Sequence, residues 1–378
     1  MLKTVETETG ETPSFLDPSD AARRDCEVAA AELRFGRPIM LHADETYVAI
    51  ALDTATARDF ERFGMATHGA HALFLTAERA QALELEAPDG ALVPLKEVSY
   101  ERACALGYEL ESPQPDSWSD APPSLSALNE LSRLALLLPA LVVARIDAAD
   151  PAFAGVAEIA VEDIEAAGDA ETRYEIVART VVPLRDVKKA EFVVFRGGLS
   201  QRDQVAIVVG DPDLSGAVPI RIHSSCLTGD LFGSLKCDCG DQLREGLRLI
   251  DMRGGGVLLY LDQEGRGTGI GAKMRAYGYQ SHGLDTIDAD AALGFGPDQR
   301  RYGAAVAMLG ALGISSVELL TNNPTKAAFL QKAGIAVTRR TAVLGEVTDE
   351  NRGYLTTKAE RAGHALDVAA IASALVNK

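Results

Sequence analysis

Three of the chain's five cysteines fall between positions 226 and 239, in the stretch "HSSCLTGDLFGSLKCDCGDQL". No other feature restricts the fold so narrowly. Cys237 and Cys239 stand two apart in a glycine-flanked turn, and Cys226 follows a strand-like run, so the chain must fold in a way that lets three thiols converge. A free cysteine is often only a small buried hydrophobe, a reading that suits Cys26 and Cys104. For Cys226, Cys237 and Cys239 the spacing fits the soft ligand set that zinc prefers. Three protein ligands leave the fourth tetrahedral position for water, as in catalytic zinc sites, and such a water ionises near neutral pH to give a nucleophile. His223 either closes the set as a fourth ligand or packs against the loop and orients it. The open three-thiolate site is the expectation.

At 378 residues the chain is long enough for two domains with separate cores. No apolar run approaches a membrane span, and the acidic start "MLKTVETETGETPSF" has no apolar segment of the kind a signal peptide needs. Five cysteines without an export signal read as reduced thiols or ligands, and the expected location is the cytoplasm. The net charge of −18 speaks against nucleic acid as a partner. Residues 1–190 carry 17 Lys+Arg against 34 Asp+Glu, whereas residues 191–378 carry 20 against 21, so only the second half has the local cations to receive an anionic ligand.

Residues 1–15 read as a flexible tail and 16–170 as a domain of alternating strands and helices. Residues 171–188 read as a basic linker and 189–378 as a second domain, giving an α/β (mixed α+β) chain of two domains. In the second domain "QVAIVVGD" and "AVPIRIH" look like paired strands, and "GVLLYLD" like a buried one.

Three further stretches carry candidate chemistry. "YLDQEGRGTGIGAKMRAY" holds Gly267-x-Gly269-x-x-Ala272 between strand and helix, with Asp288 downstream, a partial dinucleotide fingerprint. The charged insert before the glycines weakens that reading. What survives is a loop whose amides, with Arg266, Lys273 and Arg275, could hold phosphates. "GFGPDQRRY" sets Asp298, Arg300 and Arg301 before a helix, as a site or as a capped, solvated helix start. "LLTNNPTKAAFL" bunches Thr321, Asn322, Asn323 and Lys326 where a strand meets a helix, as a ligand site or a plain turn.

Taken in order, "RIHSSCLTGDLFGSLKCDCGDQL", "YLDQEGRGTGIGAKMRAY", "GLDTIDADAALGF", "DQRRYGAA", "LLTNNPTK" and "YLTTKAERAGH" closely resemble GTP cyclohydrolase II over about half the chain. The resemblance implies a zinc- and magnesium-dependent reaction. GTP would lose C8 as formate and its outer phosphates as pyrophosphate, giving 2,5-diamino-6-ribosylamino-4(3H)-pyrimidinone 5′-phosphate, the first step of riboflavin biosynthesis. It implies Cys226, Cys237 and Cys239 as zinc ligands, Tyr277 near the ring-opening chemistry, Asp298 as proton acceptor and Arg300 as nucleophile at the α-phosphate. It implies GTP contacts from Arg221, Ile222, His223, Ser224, Ser225, Gln242, Glu264, Gly265, Arg266, Thr286, Thr321 and Lys326, with Glu264 reading guanine. It also implies a homodimer. Arginine, always protonated, is a poor nucleophile, and a guanidinium that stabilises phosphoryl charge is the easier role to defend.

This chain departs from the family pattern at Ser225, usually Glu, and at Asp262, usually Arg. Two alternatives therefore stay open: a paralogue that opens a purine ring to a different product, and a silent nucleotide-binding regulator. The first half more weakly resembles 3,4-dihydroxy-2-butanone-4-phosphate synthase through "ELRFGRPIMLHADE", "THGAHALFLTAERAQALEL" and "LSRLALLLPALVVARI". Where that family carries a long acidic loop, this chain reads "HADETYVAIALD". The expectation is a degenerate, non-catalytic domain.

Overall fold

The computed structural model describes residues 18–169, 173–185, 187–199, 203–296, 298–345, 347–361 and 363; the expected tail lies outside them. Two seven-stranded sheets organise the chain.

The first sheet is built from β1 (Ile39–His42), β2 (Thr46–Ala51), β3 (Ala72–Leu75), β4 (Ala91–Pro94), β5 (Ser119–Asp120), β6 (Ala140–Arg145) and β7 (Ala157–Ala160). Their order is β5-β4-β3-β6-β2-β1-β7, antiparallel except for the β1–β7 edge. Alternate residues of β6 enter opposite cores, Ala140, Val142 and Ala144 on one face and Leu141 and Val143 on the other, as a sheet covered on both sides requires. The helices of this half are α1 (Pro18–Arg34), α2 (Ala57–Ala66), α3 (Ala77–Ala82), α4 (Tyr100–Tyr108), α5 (Ala127–Ala135) and α6 (Val161–Asp169). Helix α2 starts where Thr56 and Asp59 form a reciprocal capping box, satisfying two end amides at once.

The second sheet contains β8 (Tyr174–Val181), β9 (Ala190–Gly197), β10 (Gln204–Gly210), β11 (Val218–Ser224), β12 (Gly255–Leu261), β13 (Ser316–Leu320) and β14 (Ala336–Thr341), in the order β14-β13-β11-β12-β10-β9-β8. Its helices are α7 (Cys239–Met252), α8 (Gly269–Gln280), α9 (Thr286–Ala292), α10 (Gly303–Ala311), α11 (Pro324–Lys332) and α12 (Arg352–Glu360). The four strands β14, β13, β11 and β12 run parallel.

Two expectations are corrected here. Strands β10 and β11 are not paired: β12 lies between them, antiparallel to β10 and parallel to β11. The run "GVLLYL" is apolar on both faces and so belongs in the sheet interior, but which strands flank it is set by the pairing alone. The second sheet also begins at Tyr174, within the span read as linker, because "YEIVARTV" pairs along β9.

The halves share a core. Ala272 and Ala276 of α8, with Ala289 of α9 and the adjoining Leu293 and Phe295, pack into the cluster on one face of the first sheet. Arg79, only 2% exposed, spans the contact. It donates to the carbonyls of Ala105, Leu106 and Glu109 in its own half and of Ala292 across the boundary. Arg275 pairs with Asp53, Tyr279 donates to the Tyr108 carbonyl, and Thr76 donates to the Gly294 carbonyl.

Beneath that face His71 sits edge-on to Phe60 and Phe63 with Nδ1 unpartnered, and burial lowers its pKa. The unfolded chain therefore binds a proton at about pH 6.5 that the folded chain refuses. Stability is intact above that pH and falls as acid is added towards the lower, folded pKa. His71→Leu should flatten this loss between pH 7 and 5.5 in urea titrations; equal slopes for both proteins would contradict it.

Candidate active site

The parallel strands β11, β12 and β13 all end at one cavity, the crevice at strand carboxyl ends where open α/β sheets usually take ligands. It encloses about 1010 Å³, open mouth included.

Strand β11 delivers Arg221, Ile222, His223 and Ser224, then Ser225 and Cys226. The one-turn helix Leu227–Leu231 follows, with the Gly229 amide on Cys226 Sγ at 3.3 Å. Cys237 and Cys239 stand at the start of α7, and the three sulfurs lie within 4.8 Å of one another. Cys226 and Cys237 are 3.7 Å apart; tetrahedral zinc with ~2.3 Å bonds would set its sulfurs about 3.8 Å apart. A Cβ on Gly229 would fall 2.9 Å from Cys237 Sγ and 3.1 Å from Cys226 Sγ. That position must be glycine because any side chain would fill the space between the thiols. The three residues therefore fit the metal. Hydrogen bonds from Cys237 and Cys239 pull the Cys226 thiol well below its ordinary range, while the same contacts push the other two up. A cation that needs all three deprotonated would change that distribution.

His223 is no fourth ligand. Its Nε2 lies 3.1 Å from both oxygens of Asp230, and its ring stacks on Tyr260 at 5.5 Å. Asp230 also accepts from the Cys226 amide and the Tyr260 hydroxyl. His223 therefore orients the loop that presents Cys226.

Beyond β12, Glu264, Gly265 and Arg266 turn sharply, with φ of +61° at Gly265 and +62° at Arg266. A non-glycine residue in that region is strained; Arg266 is held there by Asp290 at 2.8 Å. Glu264 accepts from Lys273 at 2.8 Å and from the Leu227 and Gly265 amides. Three of about four acceptor positions on its carboxylate are thus filled, which leaves it little for guanine. Lys273 also reaches Cys226 Sγ at 3.1 Å, so it stands at the thiol end rather than among free phosphate donors. Arg275, expected beside it, faces Asp53 and Tyr108 on the far side of α8. Gly269, the second glycine of the partial dinucleotide fingerprint, lets Leu136 approach: a Cβ there would meet the Leu136 side chain at 3.2 Å.

The cavity wall also carries the cations Arg221, Lys326 and Arg300. Arg221 is buried against the Leu320 carbonyl and Gln242. Gly246 makes room for it, since a Cβ would sit 2.4 Å from Arg221 Cδ. Asn323 caps α11, and Lys326 on its first turn donates to the Ile222 carbonyl at 2.8 Å. Burial drives the Lys326 ammonium pKa well down, with repulsion from Arg300 and Arg221 next. Cations crowded in this way are stabilised by an incoming anion.

Tyr277 and Gln280 of α8 and Thr286 of α9 close the third side. Burial, then Cys237, raises the Tyr277 hydroxyl above its ordinary range, so it carries its proton at neutral pH. Arg300 lines the cavity and is gripped by Asp298 at 2.6 Å. Asp298 stands behind Arg300 rather than on the cavity wall. Against burial, this arginine holds the Asp298 carboxyl below the usual range, which makes it a charge partner first.

Every residue that the family resemblance implies for the site, except Asp298, lines this one cavity. Sequence reasoning missed Gln263, Gln280, Asp290, Tyr354 and Lys358, which line it too. Only the last two left a signal: in "YLTTK" they stand i, i+4, on one helix face.

The family GTP cyclohydrolase II matches residues 175–342. A protein named GTP cyclohydrolase-2 from Xylella fastidiosa (strain 9a5c) is 55% identical over 368 residues, 95% of this chain and 92% of that protein. Another of that name, from Azospirillum brasilense, is 35% identical over 96% of this chain and 100% of its own length. Among solved structures, RibBX from A. baumannii, a two-domain 3,4-dihydroxy-2-butanone 4-phosphate synthase, aligns at TM-score 0.30 and 17% identity, over 85% of this chain and 99% of that one.

Proposed function

Since the chain belongs to the GTP cyclohydrolase II family, we propose that it hydrolyses GTP to the diaminopyrimidinone phosphate, formate and pyrophosphate, a step of riboflavin biosynthesis. The observation that carries this is one cavity lined both by three convergent thiols and by the buried cations Arg221 and Lys326 with the half-buried Arg300.

Cys226, Cys237 and Cys239 would hold zinc, which supplies a water acidic enough to act as nucleophile near neutral pH. Thiols and cations lining one cavity suit a ligand that carries both a base and phosphates. Arg221, Arg300 and Lys326 would take the phosphates, with Mg²⁺ among them. Arg300, pinned by Asp298, meets developing phosphoryl charge without reorganising; a protonated guanidinium does not serve as the attacking group. Tyr277, protonated and on the cavity wall, would donate to nitrogen as the ring opens.

The first half is read as non-catalytic. Strands β1 and β2 pair from Ile39↔Ala49 to His42↔Thr46, so a three-residue turn replaces the long acidic loop. The homodimer finds support in the exposed apolar Leu231, Phe232 and Leu235, and light scattering of the purified chain checks it.

Zinc-loaded protein incubated with GTP and Mg²⁺ should yield stoichiometric formate, pyrophosphate and the pyrimidinone by mass spectrometry. A formamide end product would indicate the paralogue reading, and unchanged GTP would sink both. With ribulose 5-phosphate the same protein should form no butanone phosphate; any such product would restore a second activity.

A further inference from the structure

Helix α12 reaches the thiol cluster through the ion pair of Lys358 with Asp238. Lys358 donates to Asp238 Oδ1 at 2.9 Å, and its ammonium lies 4.3 Å from the centre of the Tyr354 ring one turn earlier. Asp238 is the middle residue of Cys237–Asp238–Cys239 and is 2% exposed. Its other side-chain donor is the Gln242 amide, which carries no charge, and the buried Arg221 acts on it more weakly than Lys358, without a direct hydrogen bond. At the outer end of α12, Arg361 pairs with Asp285 and Asp288 at the start of α9.

A carboxylate buried to this degree is costly unless a cation answers it. Without Lys358, the cheapest relief is for Asp238 to swing towards water. Both flanking peptides would turn with it, and the Cys237 and Cys239 sulfurs, now within 4.8 Å of Cys226, would separate.

We propose that Lys358 is a positioning residue for the zinc centre: by neutralising Asp238 it holds the Cys237–Cys239 turn in its ligand-competent shape. Metal retention then depends on the docking of α12. The inference rests on the zinc reading above. It concerns a residue outside the ligand set and outside the contacts expected for GTP.

The test uses the full chain and zinc itself. Zinc affinity is measured by competition with a chromogenic chelator, and the ligand set is followed by the thiolate-to-metal absorption of the Co²⁺-substituted protein. Lys358→Gln should loosen zinc by about 10–100-fold, the usual cost of losing a partner behind a metal ligand, and should alter the cobalt spectrum. Lys358→Arg should recover most of the affinity. K358Q combined with D238N, which removes the unanswered charge, should bind better than K358Q alone. A purely structural role for Lys358 would not produce that reversal.

Should K358Q fail to fold, Arg361→Ser at an exposed position carries the test, with zinc a few-fold looser than in the parent. Unchanged zinc affinity in K358Q, or in R361S where K358Q is unfolded, would overturn the proposal while leaving the zinc reading intact. A parent chain that binds no stoichiometric zinc would overturn the zinc reading, and the inference with it.

Discussion

Cys237→Ser should abolish zinc content and formate release together. A hydroxyl cannot replace a thiolate for a borderline-soft cation, and two sulfurs do not fix a tetrahedral site. The loss should exceed the ~10–100-fold that follows removal of a partner behind the ligands, and elemental analysis of the purified variant should find zinc well below one per chain. The fold should survive, because the thiols sit at strand and helix ends while the second core is built elsewhere, from residues such as Val257, Leu259 and Met308. Metal analysis, formate assay and circular dichroism on one preparation decide the matter. Full activity without zinc would overturn the metal assignment.

Arg79→Met should be the most damaging change far from the thiols. One guanidinium answers four main-chain carbonyls, three in the first half and one in the second. Burial lowers its pKa to about 10, so it remains charged at neutral pH. Methionine fills much of the space and satisfies none of the carbonyls. At roughly 1 kcal/mol or more for each buried acceptor left unpaired, the loss should be about 3–5 kcal/mol, read as an earlier urea midpoint. Because Ala292 belongs to α9, which packs with α8 against the first sheet, formate release should fall while zinc stays bound. A variant with parental stability and turnover would show that the two halves merely touch.

How much of this was legible in the sequence differs between the two sheets. The convergence of Cys226, Cys237 and Cys239 could be read from spacing, because i and i+2 thiols in a tight turn have few places to go. Strand β12 could be read as buried, but not its place between β10 and β11: periodicity reports which faces are covered, not which neighbours do the covering. Arg275 was assigned to phosphate on proximity alone. On α8 it lies two residues beyond Lys273, about 200° round the helix, and so faces the opposite side. Arg79 gave no sign of its role, since four carbonyl partners leave no mark on composition. His223 was open between ligand and brace until Asp230, seven residues on, was seen to occupy its Nε2.

The shared core has a historical consequence. A front half joined to the rest only by a tether would be free to erode. Here the cluster on one face of the first sheet is completed by Ala272, Ala276, Ala289, Leu293 and Phe295 from the other half. Deleting the front domain would leave the back of α8, the helix that carries Lys273 and Tyr277, wet and apolar. Natural truncations at the boundary should therefore be rarer than point changes scattered through the front half, because its apolar surface completes a core that the other half shares.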